Sequence, residues 1–291
     1  MKSAFIAIVG RPSSGKSSFL NAVCRGKVSI VTPVPQTTRN KIRGIYTDNR
    51  AQFVFIDTPG FHLSEKKFNL HLTKLVEESF EEVDILLYMI DISRPPGEEE
   101  SKIAQSVSNF KGNKVIVFNK IDIEKNYIAE HEITVRRFIG EVPIFKISAL
   151  TGEGLPQLLE YLTDIAPEGE LYYDPDIYTD QEPSFRISEI IREKVILETR
   201  EEIPHSIYIE ILDMEMREEQ NLLWVRAIIY VERESQKGII IGQGGNKIKS
   251  IRLAAERDLR EIFPYRVKLD LRVKVKKKWK QNEQVLKKLI F

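Results

Sequence analysis

The segment GRPSSGKS, residues 10–17, is the feature that most limits what this chain can fold into. It matches the pattern G-x-x-x-x-G-K-[ST], and the apolar run FIAIV, residues 5–9, comes directly before it. In this pattern a buried strand leads into a glycine loop and then a helix. The loop N–H groups and the positive end of the helix point at a phosphate group. The segment therefore predicts an α/β domain with a nucleotide site in its first strand-to-helix turn.

The first part of the chain alternates apolar runs with helical patterns. The runs that we predict as strands are FIAIV (5–9), FVFI (53–56), ILLYMI (85–90), VIVF (115–118) and IFKI (144–147). Helices are expected after the phosphate loop and over residues 66–81, 98–110, 127–139 and 154–164. The first four runs are apolar on both faces, which is typical of parallel strands covered by helices. We therefore predict a doubly wound α/β sheet, whose ligands bind at the carboxyl ends of the strands.

Three further motifs each follow a predicted strand. DTPG, residues 57–60, suits contacts to magnesium and a γ-phosphate, although alone it also describes a turn. NKID ends in Asp122, whose carboxylate can accept two hydrogen bonds from guanine, a pattern that adenine does not offer. SAL, residues 148–150, means nothing alone, but here the Ala149 N–H can donate to guanine O6. In this order and spacing the motifs resemble the GTPase superfamily.

Each motif supplies residues for a different part of a bound GTP or GDP with Mg²⁺. Lys16 is expected to reach the β- and γ-phosphates and the Ser17 hydroxyl to bind Mg²⁺. In QTTRN, residues 36–40, Thr38 is preferred over Thr37 to complete the magnesium shell; the alternative is a threonine-rich loop without contacts. The predicted metal ligands are Ser17 and Thr38, and the predicted catalytic residues are Lys16, Thr38, Asp57 and Gly60. The predicted nucleotide-binding residues are Gly10, Arg11, Pro12, Ser13, Ser14, Gly15, Lys16, Ser17, Ser18, Asp57, Thr58, Pro59, Gly60, Phe61, Asn119, Lys120, Asp122, Ser148, Ala149 and Leu150.

Phe61 follows DTPG where Ras-type GTPases carry a glutamine that orients the attacking water. A phenylalanine side chain cannot orient water by hydrogen bonding. The sequence therefore predicts a GTPase with a slow intrinsic rate, and it leaves open a nucleotide-binding scaffold without turnover.

The charge of the chain divides it into two parts. Residues 1–183 carry 21 basic and 26 acidic side chains, whereas residues 184–291 carry 23 and 17. A basic part beside an acidic one indicates a module that faces a polyanion. Between them, the stretch at 166–183 has prolines, acids and tyrosines but no period. We predict a GTPase domain over 1–168, a linker over 169–183 and a second domain over 184–291.

The second part has the predicted element order α-β-β-α-α-β, followed by a terminal helix. The loop GQGG, residues 242–245, lies between two helical patterns. A G-x-x-G loop in this position clamps RNA backbone in the KH module, although alone it also describes an ordinary turn between helices. The predicted RNA-binding residues are Lys237, Gly242, Gln243, Gly244, Gly245, Lys247 and Lys249.

This combination resembles the Era family of GTPases, in which a GTPase domain precedes a type II KH domain. The resemblance covers nearly the whole chain and includes PVPQTTRNKIRGI, DTPGFH, FRISEIIREKVILETREEIPHSI and SQKGIIIGQGGNKIKSI. It implies binding of single-stranded RNA near the 3′ end of 16S ribosomal RNA and a role in maturation of the 30S subunit. It also implies peripheral association with the cytoplasmic face of the cell membrane.

One residue departs from the family inside the phosphate loop. The family has asparagine where this chain has Ser13. In related GTPases that asparagine helps to hold an activating monovalent cation. The resemblance therefore does not carry potassium stimulation over to this chain.

Composition sets the remaining expectations. The chain has 291 residues, of which 42% are hydrophobic and 30% charged, as in a globular protein of about two domains. Cys24 is the single cysteine, which excludes an internal disulfide bond, fits a reducing cytoplasm and is expected to be buried. The apolar run near the start is interpreted as a first strand and not as a signal peptide. No run approaches the ~18 apolar residues of a membrane span, and the sequence implies no oligomer.

A membrane-linked regulatory GTPase is the alternative function. The tail from Lys276 carries six lysines and one glutamate, and together with Trp279 it suits an anionic lipid surface as well as RNA. The glycine loop at 242–245 discriminates between the two, because lipid binding does not need it.

Overall fold

The chain divides into two units, Met1–Asp180 and Gln181–Phe291. The computed structural model describes residues 1–35, 37–58, 83–200, 202–282 and 285–286. The helix predicted over 66–81 lies outside the described residues, as does part of the predicted terminal helix.

A six-stranded sheet forms the centre of the first unit, in the order β2-β3-β1-β4-β5-β6. The strands are β1 (Lys2–Val9), β2 (Ile42–Thr47), β3 (Ala51–Asp57), β4 (Ile85–Asp91), β5 (Asn113–Asn119) and β6 (Ile144–Ile147). The described helices of this unit are α1 (Lys16–Val23), α2 (Glu98–Asn109), α3 (Ile128–Phe138) and α4 (Leu155–Ile165). β2 is antiparallel to β3, and the other neighbouring strands are parallel. The predicted doubly wound α/β arrangement is confirmed.

The position of β1 explains where the site forms. β1 lies between β3 and β4, and its Ile8 is paired with Asp57 at the end of β3. All seven residues of β3 and all seven of β4 are buried. Polar groups that follow these strands therefore collect at one edge of a rigid, dry sheet.

The sequence prediction contained no strand at β2. Its sequence, IRGIYT, has Gly44 in the middle, and an interior glycine weakens a strand pattern. A Cβ atom at Gly44 would lie 2.5 Å from Leu20 Cδ1 and 2.8 Å from Cys24 Sγ, so β2 packs directly on α1. Cys24 is buried, as predicted, and its burial raises the pKa of the thiol to about 12.

The segment after α4 stays attached to the first unit. Gln52, fully buried in β3, accepts hydrogen bonds from the Tyr172 and Tyr173 N–H groups at 2.8 and 3.0 Å and donates to Tyr173 O at 2.9 Å. The Ile45 N–H donates to Tyr178 O at 2.9 Å. Most of the stretch predicted as a linker, 169–183, therefore packs on β2 and β3, because polar groups on the sheet satisfy its backbone.

A three-stranded sheet with the order β7-β8-β9 forms the second unit. Its elements are α5 (Pro183–Leu197), α6 (Ile203–Ser206), β7 (Tyr208–Arg217), β8 (Leu222–Val231), α7 (Glu234–Ile241), α8 (Asn246–Ile262) and β9 (Arg266–Val275). β7 is antiparallel to β8, and β8 is parallel to β9. α8 buries Ile251, Ala255 and Leu259 along one face. The predicted order α-β-β-α-α-β is present, with the short α6 between α5 and β7.

Candidate functional site

The loop between β1 and α1 wraps closely against the end of β5. Gly15 has φ +97°, and a Cβ atom there would lie 2.1 Å from Asn119 Nδ2. The Asn119 amide donates to Ser14 O at 2.8 Å. A glycine is therefore required at position 15 both for its backbone conformation and for the approach of Asn119.

Lys16 lies buried across this loop. Its Nζ donates to Gly10 O at 3.0 Å and to Arg11 O at 2.9 Å. Desolvation by burial lowers the pKa of Lys16 to about 8, and the negative charges of Asp57 and Glu100 oppose that shift. A cation held in this way is poised to meet an anion that enters the loop.

Three oxygen-bearing side chains meet beside Lys16. Ser17 Oγ donates to Asp57 Oδ2 at 2.7 Å and lies 3.0 Å from Thr38 Oγ1. Asp57 is fully buried, and its Oδ1 has no hydrogen-bond partner within the described residues. Burial raises the pKa of Asp57, opposed by Lys16 and by the hydroxyl groups. Hydroxyl and carboxylate oxygens are the ligands that Mg²⁺ prefers, so the orphaned, buried Oδ1 and its neighbours fit this ion.

Thr37 and Thr38 have different partners. The Thr37 hydroxyl donates to Val34 O at 2.7 Å and lies 2.6 Å from Thr32 Oγ1, within its own loop. Thr38 instead reaches Ser17. The geometry therefore favours Thr38 as the residue of this loop that acts at the cation site.

A cavity of about 350 Å³ lies between the phosphate loop and the loop that carries Thr37 and Thr38. Its lining includes Pro12, Ser13, Gly15, Lys16, Ser17, Ser18, residues 30–34, Thr37, Thr38 and Lys120. This volume lies in the range of small-molecule sites. The cavity thus runs from the phosphate loop to the motif predicted to recognise the base.

The base-recognition motifs are connected by hydrogen bonds. Ser148 Oγ donates to Asp122 Oδ1 at 2.5 Å, and Lys120 Nζ donates to Asp91 Oδ2 at 2.6 Å. Leu150 is 84% exposed beside them. Asp122 and Lys120 are therefore held in place before any base arrives.

Several predicted nucleotide contacts have other partners. The Ala149 N–H, expected to donate to guanine O6, donates to Asn119 Oδ1 at 2.9 Å. The Arg11 guanidinium pairs with Glu99 at 3.1 Å and Glu100 at 3.4 Å on α2. The Thr58 hydroxyl donates to Ile8 O at 2.8 Å. The side chains of Arg11 and Thr58 thus connect the phosphate loop to α2 and the end of β3 to β1.

Pro59, Gly60 and Phe61, which were predicted to contact the nucleotide, lie outside the described residues, as does Gln36 of the QTTRN motif. Ser29 and Asn21, by contrast, were not predicted, yet Ser29 Oγ donates to Asp57 Oδ2 at 3.1 Å. The sequence did not indicate this contact, because Ser29 and Asn21 belong to none of the nucleotide-binding motifs.

The second glycine loop joins α7 to α8. Gly242, Gly244 and Gly245 all have positive φ, at 71°, 58° and 78°. Gln243 and Gly244 are exposed, and no atom lies within 4 Å of a Cβ built at Gly244. The inner residues of the loop are thus open to a ligand from one side.

Three lysines surround this loop. Lys247 and Lys249 lie on the first turn of α8, directly after it. Lys237, on α7, forms an ion pair with Glu234 at 3.7 Å. The seven residues predicted to bind RNA thus lie in the turn between α7 and α8 and on the two helices that flank it.

The C-terminal tail bears on the membrane-linked alternative. Trp279, which that alternative placed at a lipid surface, is fully buried. Its Nε1–H donates to Ser206 O at 2.8 Å, and its ring packs 4.9 Å from that of Tyr208. The indole is thus held between Ser206 and Tyr208 and is unavailable to lipid. Among the described helices, none has the length and apolarity that crossing a bilayer requires.

Comparison with known proteins gives matches to both units. A family model described as 50S ribosome-binding GTPase matches residues 5–120, and a KH domain model matches residues 202–280. GTPase Era of Treponema denticola is 49% identical over 294 residues, and GTPase Era of Borreliella burgdorferi is 47% identical over 291 residues. Each match covers 100% of both proteins.

Two solved structures match nearly the whole chain. One is a variant of Aquifex aeolicus Era bound to GDP·AlF4⁻, with a TM-score of 0.92 and 34% identity. The other is Era in complex with MgGDPNP and nucleotides 1506–1542 of 16S ribosomal RNA, with the same TM-score and identity. Both cover 99% of this chain and 98% of the matched one.

Proposed function

Because this chain belongs to the Era family of GTPases, we propose that it is a GTP-hydrolysing switch that binds ribosomal RNA. It binds GTP and Mg²⁺ in the first unit and hydrolyses GTP to GDP and phosphate at a slow intrinsic rate. It binds the 3′ region of 16S ribosomal RNA through the second unit and assists assembly of the 30S subunit, which places it in the cytoplasm. The related Era complex with MgGDPNP and 16S ribosomal RNA supports both parts of this proposal.

The observation that carries the nucleotide function is the group formed by Lys16, Ser17, Thr38 and Asp57. Ser17 and Thr38 would hold the magnesium ion directly, and Asp57 would accept from a water on it. The bound ion would supply positive charge to the β- and γ-phosphate oxygens. Lys16 neutralises the same phosphates from the loop side, which stabilises the charge that develops during phosphoryl transfer.

Guanine selectivity rests on Asp122. Its carboxylate is oriented by Ser148 and offers acceptors to guanine N1–H and N2–H, whereas the Ala149 amide is engaged by Asn119. We assign this function to a GTPase domain over 1–168 and the RNA function to residues 184–291. Residues 169–180, which pack on the first unit, complete its surface.

Replacing Asp122 tests the nucleotide assignment. Asp122→Asn removes one of the two acceptors, so we expect GDP affinity to fall at least ~100-fold, about 2.7 kcal/mol, and xanthosine diphosphate affinity to rise. The measurement is a titration of each nucleotide by fluorescence. Asp164→Asn, at an exposed position of α4, is the matched control and should change neither affinity. Unchanged GDP affinity in Asp122→Asn contradicts the assignment.

The RNA function rests on the open turn at Gln243 and Gly244. Because the backbone there is exposed and glycine-rich, a sugar–phosphate backbone can approach closely, and the lysines around it supply charge. Replacing both residues with aspartate should lower affinity for single-stranded 3′-end 16S RNA at least tenfold, about 1.4 kcal/mol. GDP affinity should stay unchanged, because the phosphate loop lies in the other unit.

The double asparagine variant at the same positions separates charge from conformation. Asparagine has the shape of aspartate and tolerates the positive φ of Gly244 equally well. It should therefore bind RNA more tightly than the aspartate variant in an anisotropy titration. Equal RNA affinity of the wild type and the aspartate variant, with the fold verified by circular dichroism, would show that the loop is only a turn.

No observation on the described residues favours the membrane-linked alternative. The aromatic side chain that suited lipid, Trp279, is buried. Peripheral membrane association of this chain therefore stays a prediction from the resemblance, to be measured by sedimentation with anionic vesicles.

A further inference from the structure

We propose that Ser29 is a positioning residue of the magnesium site, which holds the Asp57 carboxylate in the orientation that the ion needs. This inference rests on the proposed GTPase function. Ser29 belongs to none of the motifs that define the nucleotide site, and it lies nine residues before Thr38. Its hydroxyl nevertheless donates to Asp57 Oδ2 at 3.1 Å, and its side chain is 2% exposed.

The hydrogen bond from Ser29 leaves one oxygen of the Asp57 carboxylate to accept from a water on the cation. Asp57 Oδ2 accepts from both Ser17 Oγ at 2.7 Å and Ser29 Oγ at 3.1 Å. Asp57 Oδ1 has no partner within the described residues, although the residue is fully buried. Two donors on the same oxygen fix the rotation of the carboxylate, and a buried, unsatisfied acceptor is costly unless a ligand uses it. A water on the magnesium ion is a ligand of this kind.

Ser29 is itself fixed from α1. Asn21 Oδ1 accepts from the Val28 N–H at 2.9 Å and from the Ser29 N–H at 2.8 Å. Asn21 Nδ2 donates to Ser29 O at 2.8 Å. Both backbone groups of Ser29 are thus bound by one side chain on the helix that also begins with Lys16 and Ser17. The helix therefore positions the Asp57 carboxylate from two sides, directly through Ser17 and indirectly through Asn21 and Ser29.

Ser17 and Ser29 differ in what happens when the ion binds. The Ser17 oxygen would bind the ion through a lone pair while its O–H donates to Asp57, so removing Ser17 would remove a metal ligand as well as a hydrogen bond. Ser29 is expected to stay outside the ligand sphere and to keep its bond to Asp57 throughout. Removing a hydrogen-bond partner of a direct metal ligand commonly changes metal affinity about 10–100-fold. Asp57 would act on the ion through a water, so Ser29 lies one hydrogen bond further out and the lower end of that range is expected.

The test compares nucleotide binding with and without magnesium in the full chain. Ser29→Ala should raise the Mg²⁺ concentration that gives half-maximal tightening of fluorescent GDP by about tenfold. In excess EDTA its GDP affinity should match the wild type within about twofold, because phosphate and base contacts remain. Ser29→Thr keeps the hydroxyl and should restore the magnesium requirement. Ser3→Ala removes another buried hydroxyl of the first unit and should change neither quantity.

Two outcomes overturn the proposal. An unchanged magnesium requirement in Ser29→Ala overturns it. An equal loss of GDP affinity with Mg²⁺ and with EDTA also overturns it, since that result shows a purely structural role. If Ser29→Ala does not fold, Ser29→Cys, which keeps the volume but donates weakly, takes its place with the same expected shift. If the GDP affinity of the wild type does not depend on the Mg²⁺ concentration, that result counts against the proposed function itself.

Discussion

Lys16 is a buried side chain whose charged form is disfavoured in the nucleotide-free protein. Its surroundings disfavour the charged form, which is why its pKa falls to about 8. Two loop carbonyls and the negative charges of Asp57 and Glu100 only partly replace the lost water. A nucleotide brings several negative charges to the same place. The lysine is therefore arranged for the liganded protein and not for the stability of the free one.

Removing the Lys16 charge should lower GTP hydrolysis without lowering the stability of the nucleotide-free protein. Lys16→Met should lower GTP hydrolysis at least ~100-fold, about 2.7 kcal/mol of barrier, because it removes charge at the transferred phosphate. The melting temperature of the nucleotide-free protein should not fall, because a desolvated charge is replaced by an apolar chain of similar length. Lys102→Met, at a half-exposed ion pair with Glu98, is the control for both measurements. A large drop in the Lys16→Met melting temperature would contradict this view of the site.

Where a motif fixes their spacing, residues that the sequence assigned to one site lie together in the structure. Lys16, Ser17, Asp57 and Thr38 meet in the structure because strand ends bring them to one edge of the sheet. Ser29 could not be found in this way, since its contact with Asp57 depends on a tertiary fold of the loop after α1. The burial of Trp279 could not be found for a related reason: the tail is basic in composition, and nothing in its sequence indicates the contact with Tyr208 that buries the indole.

The strand β2 shows how packing can override a weak local pattern. Arg43 and Gly44 interrupt its apolar residues, so the sequence alone gives little reason for a strand. Gly44 is nevertheless what allows β2 to lie against α1, because its missing side chain leaves room for Leu20 and Cys24. The other five strands of this sheet were predicted from their apolar runs, four of which are apolar on both faces.

Adding a single methyl group should therefore disturb this packing. Gly44→Ala should lower the free energy of unfolding by about 1–3 kcal/mol, because Leu20 and Cys24 must move. Urea unfolding of the nucleotide-free protein measures this. Gly97→Ala is the matched control, since no atom lies within 4 Å of a Cβ built there, and its effect should be much smaller. Equal effects of the two substitutions would show that β2 tolerates the extra atom.

The first unit extends beyond residue 168, where the predicted GTPase domain ends. The first unit ends at Asp180, because Gln52 and the edge of β2 bind the backbone between residues 172 and 178. The change in charge and composition falls beside this boundary, but composition cannot show on which unit a coil segment packs.

Fragments of different length test this boundary. A 1–168 fragment loses the partners of the buried Gln52 amide, each of which contributes about 1 kcal/mol. Its melting temperature should be at least ~5 °C below that of a 1–180 fragment. Both should bind GDP, since the cavity is lined by earlier residues. Equal melting temperatures would mean that residues 169–180 lie on the first unit without stabilising it.

The burial of Trp279 has an optical consequence. The chain has two tryptophans, Trp224 and Trp279, and both belong to the second unit. One is enclosed by Tyr208 and the backbone of Ser206, and the other lies beside the guanidinium groups of Arg226 and Arg217. Light absorbed by indole alone therefore reports on the second unit in the intact protein, with no label attached. Tryptophan emission can monitor the second unit during denaturation or RNA titration. A fluorescent nucleotide that emits at another wavelength can monitor the first unit in the same sample.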